Sequence, residues 1–359
     1  MKKILIYINS LNASGGIERV VSNLTYEWVK KYEVILLTKD DGIAYYDIPD
    51  SIKKVSLNIP LKLDMNNKAQ RIKMIINSFL ATNKLLKNAV EDIEPDYIYT
   101  TNPMNALEIT YSLKHTKSKL VVSEHGSYYG YNKIYTFIKK MIYPKAYRIS
   151  VLNKMDTDIY RGWKANAVYI PHLVTYKAIE KNPLNSKILL NVGRLTGDKQ
   201  QGLLIDMWSK VKEKNGWQLW IVGDGEDKLM LESKIEKLNL EDSVKLIPAT
   251  KQIADIYRQA SFFAFSSRCE GFGMVLLEAM SFGIPCISFD CPSGPRDIVV
   301  DDYNGFLVAD KDAESYIKKL EKIVSMNDAE LKRLGDGAFT TVEQWDNEDI
   351  LKKWNEIYK

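Results

Sequence analysis

Residues 266–285 read SSRCEGFGMVLLEAMSFGIP. The stretch leaves the β-rich run FFAFSS (262–267), crosses a loop holding Glu270, Gly271 and Gly273, and enters an apolar helix expected from Met274 to Phe282. A strand, a glycine loop and a helix in that order form the unit of a parallel sheet covered by helices. The N–H groups of Phe272, Gly273 and Met274 would lie at a helix N-terminus, where unpaired donors and the helix dipole favour an anion such as phosphate. Glu278 sits inside the apolar helix among Leu276, Leu277, Ala279 and Met280. A carboxylate there is costly unless it has hydrogen-bond donors, which the hydroxyls of a bound ribose would supply.

Outward from this unit the pattern recurs. KILLNVG (187–193), WQLWIVG (217–223), SVKLIP (243–248) and IPCISFD (284–290) read as further strands of the same half. In the other half KILIYI (3–8), EVILLT (33–38), DYIYTT (96–101), KLVVSEH (119–125), YRISVL (147–152) and NAVYIP (166–171) form a second series, with a helix from about Ile17 to Lys31 after the first strand. Near-continuous Val, Ile and Tyr in such short runs fits strands buried on both faces. The polar, proline-containing segment 172–186 separates the halves. The expectation is two Rossmann-like domains facing each other across a cleft, 1–176 and 177–344. The amphipathic helix in 345–359 is a candidate to pack back on the first.

Length and composition agree with this. A chain of 359 residues with 45% hydrophobic and 27% charged residues has material for two cores. No stretch approaches the ~20 continuous apolar residues of a membrane-spanning helix. The N-terminal apolar run stops at Ile8 and is followed by a polar loop without a small-residue cleavage site, so it reads as a first strand and not as an export signal. Cys269, Cys286 and Cys291 are odd in number and lack metal-ligand spacing, which fits reduced thiols and a cytoplasmic setting. The net charge of +4 is unevenly spread. Residues 1–176 hold 25 Lys and Arg against 16 Asp and Glu, a net +9, and the remainder 25 against 30, a net −5.

In open parallel sheets ligands bind beyond the carboxyl ends of the strands, and the distinctive residues fall there. SGGIERV follows the first strand with Gly15 and Gly16, although without the spacing of a dinucleotide-binding G-x-G-x-x-G. VGRLTGDKQ puts Arg194 and Lys199 just past a strand, where two cations would neutralise a pyrophosphate and stabilise it as a leaving group. His125 ends a strand in VVSEHG. Each feature alone has a plainer reading: a turn, solvated charges, a structural histidine.

Together they resemble the family 4 retaining glycosyltransferases, whose E-x7-E signature EGFGMVLLE matches. VGRLTGDKQ, IVGDGED, GIPCISFDCPSGPRDIV and NGFLV follow the family's pattern in order. The resemblance covers nearly the whole chain and implies the GT-B fold. It further implies that Arg194 and Lys199 contact the donor diphosphate, Glu278 the ribose and Glu270 the transferred sugar. The backbone of Phe272, Gly273 and Met274 would touch sugar or phosphate, Gly15, Gly16 and Gly223 belong to the donor site, and His125 lies near the donor sugar. LIPAT (246–250) replaces a stretch that often carries glycine, and Asp297 in GPRDIV replaces a commoner glutamate.

The implied reaction is transfer of a hexose or N-acetylhexosamine, with a lean to galactose or GalNAc, from a UDP-sugar with retention of anomeric configuration. A front-face route, with the leaving phosphate taking the acceptor's proton, needs no carboxylate nucleophile. The implied acceptor is a saccharide or lipid-linked saccharide of cell-envelope polysaccharide. No cofactor beyond the UDP-sugar and no metal is expected: the D-x-D strings Asp156–Asp158 and Asp310–Asp312 read as caps at helix starts. Two basic, apolar-rich segments, 61–88 and 131–148, suit docking on an anionic membrane or, as plainly, ordinary amphipathic helices. Nucleic acid is disfavoured for want of a binding motif. The rival readings are a sugar-nucleotide epimerase, a non-catalytic sugar-nucleotide-binding partner, and an NAD-dependent oxidoreductase, for which Asp40 and Asp41 after the second strand are the sole support.

Overall fold

The computed structural model describes residues 1–13, 15–59, 68–112, 116–176, 181–345 and 347–359, with the backbone alone for 68–78 and for 80. Contacts divide it into two compact units, Met1–Leu173 with Glu348–Lys359, and Val174–Asn347.

The first unit is a seven-stranded parallel sheet of β1 (Lys3–Ile8), β2 (Glu33–Thr38), β3 (Lys53–Ser56), β4 (Tyr97–Thr100), β5 (Lys119–Glu124), β6 (Arg148–Val151) and β7 (Ala167–Tyr169), ordered β3-β2-β1-β4-β5-β6-β7. Its helices are α1 (Gly16–Trp28), α2 (Lys68–Ile93), α3 (Pro103–Ser112), α4 (Lys133–Ile142) and α5 (Lys154–Gly162). The order reverses beside β1, which pairs with both β2 and β4. Such a switch point opens a crevice at the strand ends. Leu5, Tyr7, Ile35, Leu37, Leu86, Val90, Ile98 and Ile109 form one core cluster, which explains why the strands read as continuous apolar runs.

The second unit is a six-stranded parallel sheet of β8 (Ile188–Val192), β9 (Gln218–Val222), β10 (Val244–Ile247), β11 (Phe262–Phe265), β12 (Cys286–Asp290) and β13 (Gly305–Ala309), ordered β10-β9-β8-β11-β12-β13. Its helices are α6 (Gln201–Ser209), α7 (Lys228–Lys237), α8 (Ile253–Tyr257), α9 (Met274–Ser281), α10 (Ala313–Ser325) and α11 (Asp328–Glu343). The last helix, α12 (Asn347–Ile357), returns to the first unit. There Trp354 and Tyr358 pack on Trp28 with ring centroids 5.3 and 5.2 Å away, and Tyr358 meets Tyr97 at 5.0 Å. Edge-to-face aromatic pairs of this kind add about 0.5–1.5 kcal/mol each beyond the area they bury.

The sequence reading passes over two strands, β3 and β13. Both are sheet edges, where one side of the strand lacks a partner; β3 reads KKVS, with a single apolar residue. Helix α1 stops at Trp28, short of the expected Lys31, because the chain must turn to bring the Glu33 N–H onto the Lys2 carbonyl at 3.0 Å and start β2. Among the described residues no helix is long and apolar enough to cross a membrane. The thiols of Cys269, Cys286 and Cys291 are free, and burial pushes the titration of Cys286 and Cys291 upward.

Candidate active site

In the second unit the loops leaving β8, β9, β11 and β12 are knitted together at the carboxyl end of the sheet. Gly193 donates its N–H to the Val222 carbonyl at 3.0 Å, and Leu195 to Asp224 at 2.9 Å. The two loops lie so close that a Cβ on Gly223 would stand 1.9 Å from the Gly193 carbonyl oxygen, so only glycine fits. Gln201, at the start of α6, donates from Nε2 to the Arg194 carbonyl at 2.9 Å. The exposed Arg194 guanidinium makes no ion pair among the described residues.

Lys199 and Glu270 meet as an ion pair between the β8 and β11 loops. Each loop is also pinned through its backbone. Ser266 Oγ donates to the Lys199 carbonyl at 2.8 Å, and Ser293 Oγ, from the β12 loop, donates to the Glu270 carbonyl at 2.9 Å. Gly273 caps α9 at φ +93°, ψ +49°, a left-handed conformation that a side chain strains. The N-cap glycine brings no side-chain acceptor of its own, and among the described residues no side-chain cap is seen at the start of α9, beside the Glu270 loop. A cationic ammonium and an uncapped helix start next to a carboxylate can hold a diphosphate and a polar ring together.

Glu278 is buried on α9, and the phenol of Tyr257 on α8 donates to its Oε2 at 3.0 Å. The donor that the apolar surroundings demand is thus present within the protein. Sequence reasoning missed Tyr257, which carries no motif and is brought over only by the packing of α8 against α9.

In the first unit Gly15 is the N-cap of α1 and Gly16 its first residue, and the Glu18 carboxylate of the first turn folds back against Gly15. His125 follows β5 directly. Its ring stacks on His172 at 5.2 Å and 22°, and its Nε2 is enclosed without a hydrogen-bond partner among the described residues. Burial pushes the His125 pKa down to about 4. It pushes that of His172 well below its usual value, and charge on His125 would lower it further. Both imidazoles are therefore neutral near pH 7. Sequence reasoning missed His172, which falls in the polar segment between the two halves.

The residue before His125 anchors a buried network. The Glu124 carboxylate pairs with Lys139 Nζ at 2.5 Å and accepts from Tyr143 at 2.6 Å, Tyr160 at 3.2 Å, Tyr131 at 2.9 Å and the Gly126 N–H at 3.1 Å. Burial raises its pKa, but the Lys139 ammonium and these donors outweigh that and hold it below the usual range.

The D-x-D strings resolve differently from each other. Asp312 caps α10, accepting from the Ser315 N–H at 3.0 Å. Asp156 corrects the expectation of a cap: Asn153 caps α5, while Asp156 is buried and accepts from the Tyr128 N–H at 3.0 Å. Among the described residues no group of three or more His, Cys, Asp or Glu is placed to hold a metal ion.

The model of the family described as Glycosyl transferases group 1 matches residues 175–340. Over almost the whole length, the chain is 31% identical to the amylovoran biosynthesis glycosyltransferase AmsD of Erwinia amylovora, covering 99% of each. It belongs to the group 1 glycosyltransferases. This transferase is also 29% identical, over 98% of each chain, to the N-acetylgalactosamine-N,N'-diacetylbacillosaminyl-diphospho-undecaprenol 4-alpha-N-acetylgalactosaminyltransferase of Campylobacter jejuni. Among solved structures, TarM of Staphylococcus aureus, crystallised with UDP, superposes with a TM-score of 0.84 at 16% identity over 100% of both chains. The fold of the transferase is thereby GT-B, with two Rossmann-like domains.

Proposed function

We propose that this chain is a family 4 retaining transferase that moves a hexose or N-acetylhexosamine, galactose or GalNAc first, from a UDP-sugar to a saccharide or lipid-linked saccharide in cell-envelope polysaccharide synthesis. The observation that carries it is the Lys199–Glu270 ion pair set beside the uncapped N-terminus of α9. Cation, carboxylate and helix dipole are the groups needed for a diphosphate and the sugar attached to it. The names of the relatives, one a GalNAc transferase acting on a diphospho-undecaprenol saccharide, support the donor and acceptor classes.

In this reading the diphosphate takes Lys199 and the unpaired Arg194, and the α9 N–H groups meet its oxygens. Gly15 and Gly16 of the first unit are assigned to donor binding on the family resemblance, and Gly223 keeps the β9 loop close to Gly193. The bond from the anomeric carbon to the phosphate oxygen breaks as the acceptor oxygen attacks the same face. The departing oxygen receives the acceptor's proton, while Arg194, Lys199 and the helix dipole stabilise the negative charge. Glu270, freed from Lys199, hydrogen-bonds the transferred sugar, and Glu278 holds the ribose. His125 of the first unit, which the family resemblance places near the donor sugar, stays neutral at the working pH. Work at the inner face of an anionic membrane, contacted through the basic first unit, belongs to the same proposal.

The test is a metal-free panel of UDP-, GDP- and ADP-sugars read by thermal shift and hydrolysis. One UDP-hexose or UDP-N-acetylhexosamine is expected to raise the melting temperature and release UDP slowly. Indifference to every nucleotide sugar would overturn the proposal.

A further inference from the structure

Helix α4 is inside out. Its buried face carries Lys139, 1% exposed and paired with Glu124, while its outer face presents Ile134, Phe137 and Met141 at 70%, 64% and 44% exposure. At 100° per residue these three fall within an arc of about 60°, a continuous apolar ridge. Tyr129 in the turn before the helix is also 57% exposed. Packing cannot account for the ridge, because the inward side of α4 is already filled by Lys139 and Ile142.

The charges around the ridge identify its occupant. Lys133 and Lys140, seven residues apart, line one flank of it, and exposed Lys145 comes just after the helix. From His125 to Met155 the chain has six Lys and Arg and not one Asp or Glu; Lys133, Lys140, Lys145 and Lys154 are the exposed ones, and Lys139 is buried against Glu124. Elsewhere, exposed Leu229 and Met230 on α7 stand next to Asp227, Lys228 and Glu232, a mixed surface with no such bias. The geometry points to the outer face of α4 as a docking surface for an anionic lipid bilayer, with Ile134, Phe137 and Met141 inserted among the acyl chains and Lys133, Lys140 and Lys145 among the headgroups. The inference rests on the proposed membrane setting and names the surface responsible. The other segment that suggested membrane docking, 61–88, lies outside the described residues in 61–67, and its side chains are not described at 68–78 and 80.

The experiment is flotation of the full chain with vesicles of phosphatidylcholine, with and without phosphatidylglycerol. It compares the wild type, Ile134→Ser/Phe137→Ser/Met141→Ser, and Lys133→Ser/Lys140→Ser/Lys145→Ser. The wild type should float only with phosphatidylglycerol. The apolar triple variant should lose about tenfold or more in partitioning. The lysine triple should lose the dependence on anionic lipid and on salt. Melting temperature and UDP-sugar hydrolysis, read on the same samples, should be unchanged in both, which separates loss of docking from loss of fold. Wild-type partitioning by the apolar triple would overturn this surface while leaving membrane association standing. A wild type that ignores anionic vesicles would overturn both, with the hydrolysis assay still judging the transferase reading separately. Self-association of the wild type without lipid, abolished in the apolar triple, would assign the ridge to a second copy of the chain instead.

Discussion

The two units share an architecture and handle polar groups in opposite ways. In the second, charged side chains at the strand ends remain partly open, and the surrounding loops are locked by backbone contacts. Glu270 and Lys199 keep 14% and 27% of their side-chain exposure. In the first, charge is taken into the core. Glu124 and Lys139 are each 1% exposed, and Lys39 pairs with Glu108 at 2.7 Å, with Tyr7 donating to the same carboxylate at 2.8 Å. The family model covers the second unit alone, residues 175–340. A diphosphate-sized anion makes the same demand on every member's loops, whereas buried pairs answer to the local packing of one chain. The open pair of the second unit is available for chemistry, and the closed pairs of the first hold loops in position.

The comparison breaks first at Lys199. Lys199→Ala should lower kcat/KM for transfer by about 100- to 1000-fold with little change in melting temperature, since in the proposed role the side chain stabilises a leaving group and not the fold. Glu270→Gln should likewise cost most of the activity, and a fully active Gln variant would remove Glu270 from any positioning role. The reverse holds for Lys139→Met, which strands a buried carboxylate. It should cost about 3–5 kcal/mol in urea unfolding, and Glu124→Met added to it should recover part of the loss. If instead Lys139→Met were as stable as the wild type and Lys199→Ala unfolded, the contrast between the units would be reversed.

Acid should reach the first unit through its histidines. His125 titrates at about 4 when folded and near 6.5 when unfolded, so the unfolded chain binds more protons between those values. Stability is therefore present above pH 6.5 and falls as the pH drops toward 4, by up to about 3 kcal/mol, and replacing His125 by Gln should flatten that limb of the profile. Glu124, held below the usual carboxylate range, adds a loss in the same direction at lower pH still. Tyr257→Phe should have a smaller effect. Removing one donor from buried Glu278 should cost about 1–3 kcal/mol, read as lower stability and, if Glu278 also holds the ribose, as a raised KM for the donor. Smallest of all, EDTA should leave the initial rate unchanged.

Central strands were legible because burial on both faces leaves a continuous apolar run; β1 and β2 coincide with KILIYI and EVILLT. The edge strand β3 was not, because a strand with one partner can be short and charged, as KKVS is. The candidate donor-side residues Arg194, Lys199, Glu270 and Glu278 stood out as charges next to glycines or inside an apolar helix. Asp156 misled: a helix-start aspartate reads as a cap, and its neighbour Asn153 took that place and left it buried.

What the sequence determined by itself was the alternation of strand and helix, the glycines at the loops and the uneven charge, all of which depend on neighbours within a few residues. Tertiary structure alone decided which groups meet. It set Lys199 against Glu270 across 71 positions of chain, Tyr257 against Glu278, His125 against His172, and Lys139 inward so that Ile134, Phe137 and Met141 face out. A lysine and a phenylalanine on one helix carry no local signal of which will be buried. That depends on whether a carboxylate from a distant strand waits on the inner side, and Glu124 does.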